Sequence, residues 1–317
     1  MQKTFLDVLT TWKPECGKNT NLIQWLISEW CNYSCYYCHQ THDRYSHKGE
    51  GVTAHAFDNF PLYSWLDAFR RHFANERLSF VITGGEPLID KKNMPLLLKS
   101  LSDMTNVDSI RIDTNVSWNL DWYKDLDKSK IILMCTYHPS QIKEENFLLK
   151  IRNVLDNGFE IGMVNYVLTQ DSLNNFFSLK EKFRAFGIPL HPNPLWNSTG
   201  KYSPEDMKIF EVELPEQDYL YRTGIMSPNG KNCLFPSIAY EIDYLGNVKV
   251  GCHPKASGNI FDSNLPPLFP EPVPCPYSSC ACLHKYSFLE GNNRNITTNP
   301  LRQYSQALKD LWHPIDT

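Results

Sequence analysis

Cys31-Asn32-Tyr33-Ser34-Cys35-Tyr36-Tyr37-Cys38 sets three cysteines in one short loop, spaced C-x3-C-x2-C. Thiolates are the usual ligands of iron–sulfur clusters. Three of them hold three irons of a [4Fe–4S] cube and leave the fourth iron open to a substrate or cofactor, whereas a fully ligated cube usually only carries electrons. Zinc is the competing reading, because it favours four ligands and His39 adjoins the loop. The surroundings of the loop decide between them.

From about Leu22 to Pro194 the chain repeats a strand-then-helix rhythm. Short apolar or β-branched runs predict strands over Leu22–Ser28, Ser79–Thr83, Ser109–Thr114, Ile131–Thr136, Ile161–Leu168 and Ile188–His191. They show little alternation, as expected of parallel strands buried on both faces. Between them, Phe147–Asn157 carries Phe147, Leu148, Ile151, Val154 and Leu155 on one helical face and stops at Gly158. A second helix is predicted from Leu173 to Phe186, with Ser172 as N-cap and Gly187 as the stop. Six such βα units curl into a partial barrel, an α/β fold that binds ligands at the C-terminal strand ends. The cysteine loop follows the first strand and lies at that end.

The 317 residues suffice for one large domain, or one medium domain plus a small one. Residues 1–20 read as an N-terminal extension, 21–194 as the partial (β/α)6 barrel, 195–230 as a linker with one short helix, and 231–290 as a small cysteine-rich domain. In that domain Ala239–Tyr244, Leu245-Gly246-Asn247 and Val248–Val250 spell a β-hairpin. Residues 291–317 form a tail with a helix near Leu301–Trp312. Net charge is −4 and the pI is near 6.2, which gives no footprint for broad nucleic-acid binding. Neither a signal peptide nor a membrane-spanning stretch is legible, so a cytoplasmic protein is expected. There, ten cysteines suit metal binding better than disulfides. Cys16 falls outside every motif, and Cys135 reads as packing.

Thr83-Gly84-Gly85-Glu86-Pro87 follows the second strand, and Asp113-Thr114-Asn115 ends the third. With the cysteine loop, in this order, these motifs resemble the radical S-adenosylmethionine (radical SAM) enzymes over roughly residues 21–194. The resemblance implies that Cys31, Cys35 and Cys38 ligate a [4Fe–4S] cluster and that the Tyr37 backbone meets the adenine of S-adenosylmethionine. Gly84, Gly85 and Glu86 would bind the amino group of its methionine part, and Thr114 or Asn115 its ribose or carboxylate. Asn165 and Val167, with Leu195, would line the adenine side. The family's glycine after Thr-Asn is replaced here by Val116. His138, at the end of the fourth strand, is a candidate for substrate contact, and His191 and Asn193 either touch substrate or close the barrel edge.

Residues 233–282 resemble the SPASM/twitch extension of one branch of that family. Its cysteines, Cys233, Cys252, Cys275, Cys280 and Cys282, number five, so four ligate one auxiliary [4Fe–4S] cluster and one thiol is spare. A structural zinc ribbon is the competing reading for this group. A spare thiol at Cys233 or Cys275 would donate hydrogen in an epimerisation; an electron-accepting cluster would give an oxidation. The resemblance implies an enzyme that cleaves S-adenosylmethionine to a 5′-deoxyadenosyl radical and abstracts hydrogen from a small polar metabolite, such as a sugar, aminoglycoside or nucleoside. It also implies a flavodoxin- or ferredoxin-type reductant as partner. A maturase of ribosomal peptides is the alternative, although a leader-binding domain does not fit before Leu22. An iron–sulfur electron carrier or sensor is the alternative outside catalysis, and the GGEP turn speaks against it.

Overall fold

A computed structural model describes residues 20–38, 55–123, 125–195, 202–214, 220–254, 257–280 and 288–290. Of the expected features, the extension up to residue 19, Cys16, His39, Cys282 and the tail helix lie outside these residues. Six parallel strands follow one another in chain order: β1 (Thr20–Ser28), β2 (Arg77–Gly84), β3 (Val107–Thr114), β4 (Ile131–Tyr137), β5 (Glu160–Leu168) and β6 (Leu190–Pro194). Helices α1 (Leu62–Phe73), α2 (Met94–Asp103), α3 (Glu144–Asp156) and α4 (Phe176–Arg184) lie on the crossovers.

One face of each strand is apolar and packs on these helices. Ile23, Trp25 and Ile27 of β1 and Phe80 and Ile82 of β2 join Trp65, Phe69 and Phe73 of α1, Leu97 and Leu101 of α2, and Phe147 and Ile151 of α3 in one core. Trp25 sits at its centre, with ring centroids 4.7 Å from Trp65 and 5.2 Å from Phe69. The other face alternates polar and apolar residues and lines a cavity: Gln24 and Leu26, Val81 and Thr83, Arg111 and Asp113, Met134 and Thr136, Asn165 and Val167.

Two predicted details differ. Between β3 and β4 the described residues of the crossover form the 3₁₀ turn Leu120–Tyr123 and no α-helix. Residues 115–130 lack a helical apolar period; Trp118 and Tyr123 fill the space as an edge-to-face pair, and the Tyr123 hydroxyl donates to the Leu88 carbonyl at 2.8 Å. Ser172 does not cap α4. Its Oγ accepts from the Thr169 amide at 2.7 Å and shapes the preceding turn, and the 3₁₀ turn Leu173–Asn175 leads into the helix. The helix of the expected linker is α5 (Pro204–Glu213), closed at its N-terminus by a Ser203/Asp206 capping box.

The predicted hairpin forms as β8 (Ala239–Ile242) and β9 (Asn247–Val250), but it continues the main sheet. β8 pairs parallel with β1, from Leu22↔Ala239 to Trp25↔Ile242, and β10 (Ser257–Asn259) follows β9. Arg71 of α1 reaches the carbonyls of Ile260, Phe261 and Asp262, and Phe261 packs on Phe60 and Trp65. Apart from the sheet, β7 (Asn232–Cys233) pairs with β11 (Val273–Pro274). Eight strands from β9 to β6 would span about 34 Å if flat, at about 4.8 Å per strand. All eight line one cavity of about 590 Å³, so the sheet wraps around it. No helix among the described residues is long and apolar enough to cross a membrane.

Trp25→Ala empties the centre of this core. It should lower unfolding free energy by about 3–5 kcal/mol, the usual range for such truncations, measured by urea denaturation.

Candidate active site

The cysteine loop leaves β1 at its C-terminal end and is fastened to the end of β2. Gly85 N donates to Ser28 O at 2.7 Å, and Glu86 N to Trp30 O at 2.9 Å. A Cβ on Gly84 would stand 2.0 Å from Ser28 O, and one on Gly85 2.0 Å from Trp30 O. Gly84 has φ +148°, which L side chains rarely adopt. The close approach that calls for these glycines is therefore between two stretches of backbone, although both residues also line the cavity.

Glu86 lies behind the cavity wall and is 1% exposed. Its carboxylate accepts from Thr114 Oγ1 at 2.8 Å, from the Leu88 amide at 3.2 Å and from the Asn115 amide. It thus ties the turn after β2 to the end of β3. Burial pushes its pKa up to about 7, against the pull of these donors.

The end of β3 turns sharply. Val116 takes φ +60°, a conformation that costs a β-branched residue about 1–2 kcal/mol. This is the position where the resembling family carries glycine. The turn is held by Thr114 Oγ1, which accepts from the Val116 amide and Trp118 Nε1, and by Asn115 Oδ1, which accepts from the Ser117 amide. It aims Asn115 Nδ2 at the cysteine loop, 3.6 Å from Cys31 Sγ and 3.2 Å from Asn32 Oδ1.

Cys31, Cys35, Cys38, Tyr37, Gly84, Gly85, Thr114, Asn115, His138, Asn165 and Val167 all line the one cavity, with Leu195 and Asn193 on its far side. Burial raises the Cys35 thiol to about 11 and Tyr33 to about 12. The buried amide oxygens of Asn165 and Asn193 have no hydrogen-bond partner among the described residues. Orphaned acceptors in a cavity wall fit a ligand that brings donors, such as an adenine amine or ribose hydroxyls. Among the described residues, no three His, Cys, Asp or Glu side chains converge as one metal ion requires. Zinc would draw thiolates to about 3.8 Å of one another, from a Zn–S bond of about 2.3 Å. A cube would instead take one thiolate per iron and hold the thiolates farther apart.

His138 shares a 2.8 Å hydrogen bond with the Tyr37 hydroxyl through Nδ1, and burial lowers its pKa to about 4. Sequence reading missed Arg111 and Asp113, whose bidentate pair (2.7 and 3.1 Å) sits on the cavity wall in β3. Two charged residues inside a predicted buried strand were the available signal. It also missed Glu241 and Lys249, cross-strand neighbours that β8 and β9 bring to the cavity rim.

Four of the five C-terminal cysteines come together elsewhere. Cys233 and Cys275 are buried in a cluster with Tyr221, Phe235, Phe288 and Leu289, against which Cys252 and Cys280 pack. Neither Cys233 nor Cys275 lines the cavity.

Gly85→Ala should cost roughly 3 kcal/mol through overpacking, read by urea denaturation. Glu86→Gln faces one backbone or hydroxyl donor with an amide NH₂ and should cost about 1–3 kcal/mol. With its folded pKa raised from 4.5 to about 7, Glu86 makes stability fall as pH rises between those values. Denaturation midpoints at pH 5 and pH 8 should show that slope in the unmodified chain and its loss in Glu86→Gln.

No protein-family model matches the sequence, and no curated protein matches it. Solved structures do. Polyhistidine-tagged anSMEcpe with bound AdoMet is 17% identical, with a TM-score of 0.53 over 77% of this chain and 75% of that one. SuiB from Streptococcus suis is 16% identical, with a TM-score of 0.55 over 77% of this chain and 64% of that one. Native anSMEcpe with bound AdoMet and Kp18Cys peptide is 17% identical, with a TM-score of 0.50 over 87% and 82%. At this identity the likeness is one of fold. The chain shares the fold of these structures, a mixed α/β partial barrel around a parallel sheet.

Proposed function

We propose that this chain is a radical SAM enzyme. The observation that carries the reading is the meeting of the cysteine loop, the Gly84-Gly85 turn and the end of β3 on one cavity wall. In this reading Cys31, Cys35 and Cys38 hold a [4Fe–4S] cluster. When bound, the cluster supplies the electron that cleaves S-adenosylmethionine to a 5′-deoxyadenosyl radical. Asn115 donates toward Cys31 Sγ, and the Tyr33 amide does the same at 3.4 Å; such N–H···S bonds favour thiolate. The Asn165 and Asn193 amide oxygens, which lack a hydrogen-bond partner among the described residues, would receive the donors of the nucleoside.

The substrate is a small polar metabolite. About 590 Å³ falls within the range of small-molecule sites, and a nucleoside-sized cofactor takes much of it. The wall sets the polar and charged Gln24, Arg111, Asp113, Glu241 and Lys249, groups that can orient a polar molecule, among apolar side chains such as Leu26, Val81 and Met134. Oxidation is favoured over epimerisation. A hydrogen-donating thiol must reach the substrate, and the only thiols on the wall among the described residues are Cys31, Cys35 and Cys38. Cys233, Cys252, Cys275 and Cys280, with Cys282 outside the described residues, would supply the four ligands of one auxiliary [4Fe–4S] cluster able to accept the substrate electron, and a flavodoxin- or ferredoxin-type protein would be the reductant. A peptide substrate is the second reading, favoured by the fold likeness to anSMEcpe, whose structure holds a Kp18Cys peptide. Such a peptide would enter with a single side chain.

Protein purified without oxygen and mixed with dithionite and S-adenosylmethionine should release 5′-deoxyadenosine, followed by chromatography and mass spectrometry. The variant with Cys31, Cys35 and Cys38 all changed to Ala should release none. Iron-free protein, or zinc on these three cysteines, would overturn the assignment.

A further inference from the structure

His138 stands where a strand-end histidine of a barrel would meet substrate, yet its contacts run toward the cysteine loop. Nδ1 lies 2.8 Å from the Tyr37 hydroxyl, and the two rings stack at 5.9 Å with 22° between their planes. Tyr33 meets the same imidazole edge-on, at 5.9 Å and 86°. Tyr33 and Tyr37 each lie two residues from Cys35, so the loop curls around His138 with Cys35 at the middle of the curl. Three residues further on, Gln141 Oε1 accepts the Ser34 amide at 3.2 Å. The segment His138–Gln141 is itself held, because the His138 carbonyl accepts from the Gln141 and Ile142 amides at 2.9 and 3.2 Å. Within the loop the Cys38 amide donates to Cys35 O at 3.1 Å, the Tyr33 amide to Cys31 Sγ, and the Tyr37 hydroxyl also reaches Cys35.

We propose that His138, with Gln141, is a positioning residue that clamps the cysteine loop through Tyr37, Tyr33 and Ser34 and so presets Cys35 and Cys38 before any cluster is bound. The importance of the clamp rests on the loop being the cluster loop proposed above. A loop that is ordered in advance loses less conformational entropy when it takes up its cluster. Tyr37 adjoins Cys38, so fixing its ring fixes the backbone on which the adenine of S-adenosylmethionine would rest.

Hydrogen exchange of the cluster-free chain tests the clamp directly. His138→Phe keeps a ring for stacking and removes the hydrogen bond. A bond worth about 1 kcal/mol corresponds to amides of residues 33–38 exchanging about 5-fold faster, with the rest of the chain unchanged. Tyr37→Phe removes the same bond from the other side, along with the hydroxyl's contacts to Cys35 and Ser140, and serves if His138→Phe misfolds. The double variant should exchange no faster than Tyr37→Phe alone. After reconstitution, His138→Phe should weaken S-adenosylmethionine binding by a similar factor, and His138→Gln, which restores a hydrogen-bonding side chain, should recover part of the loss. Unchanged loop exchange in both single variants, or a double variant in which their effects multiply, would overturn the clamp. So would a His138→Phe protein that keeps loop protection and cofactor binding but forms no product, since that is the signature of substrate contact. If the unmodified chain takes up no iron–sulfur cluster, the enzyme reading fails while the exchange result still decides the clamp.

Discussion

Two backbone hydrogen bonds, from Gly85 to Ser28 and from Glu86 to Trp30, hold the site together. They form only because neither Gly84 nor Gly85 has a Cβ, which would collide with a carbonyl oxygen at 2.0 Å. Through them the loop after β1 and the turn after β2 become one rigid piece. Glu86 extends that piece to β3, because its buried carboxylate takes its donors from Leu88, Thr114 and Asn115. The strain at Val116 is sustained by the same network, since Thr114 Oγ1 both donates to Glu86 and accepts from the turn that Val116 makes. The motif usually read as a cofactor contact is here, first, a joint between three strand ends.

The C-terminal segment is bound into the same architecture. Parallel pairing of β8 with β1 puts Glu241 beside Gln24 in register, and Lys249 beside Glu241. This lengthens the cavity wall on the side that a six-stranded sheet would leave open. The cysteines of the segment are drawn to a second place, where the short β7–β11 pairing sets Cys233 opposite Val273 and the Cys275 amide bonds to the Lys231 carbonyl. Phe235 and Phe288 belong to that cysteine cluster and also line the cavity, so the two places share a wall.

Much of this was legible in the chain. The six strands, the helix ending at Gly158 and the hairpin at Leu245-Gly246-Asn247 rest on local signals: apolar period, β-branching and turn residues. So does the grouping of the cysteine loop with the GGEP turn at the strand ends, because strands in chain order carry their following loops to the same end of the sheet. The missing helix between β3 and β4 and the non-capping Ser172 depended on packing that local pattern does not report. Arg111 and Asp113 were passed over because charges inside a buried strand are informative only once their face of the sheet is known.

Local sequence settled which elements form and which cysteines, glycines and glutamate stand at their ends, since these follow from interactions among near neighbours. What those residues touch was left to the closed fold. Tyr37 and His138 are 101 positions apart, Ser34 and Gln141 107, and Leu22 and Ala239 more than twice that. Contacts of that span depend on how the sheet closes and which neighbour each edge strand takes, and no local propensity encodes that choice.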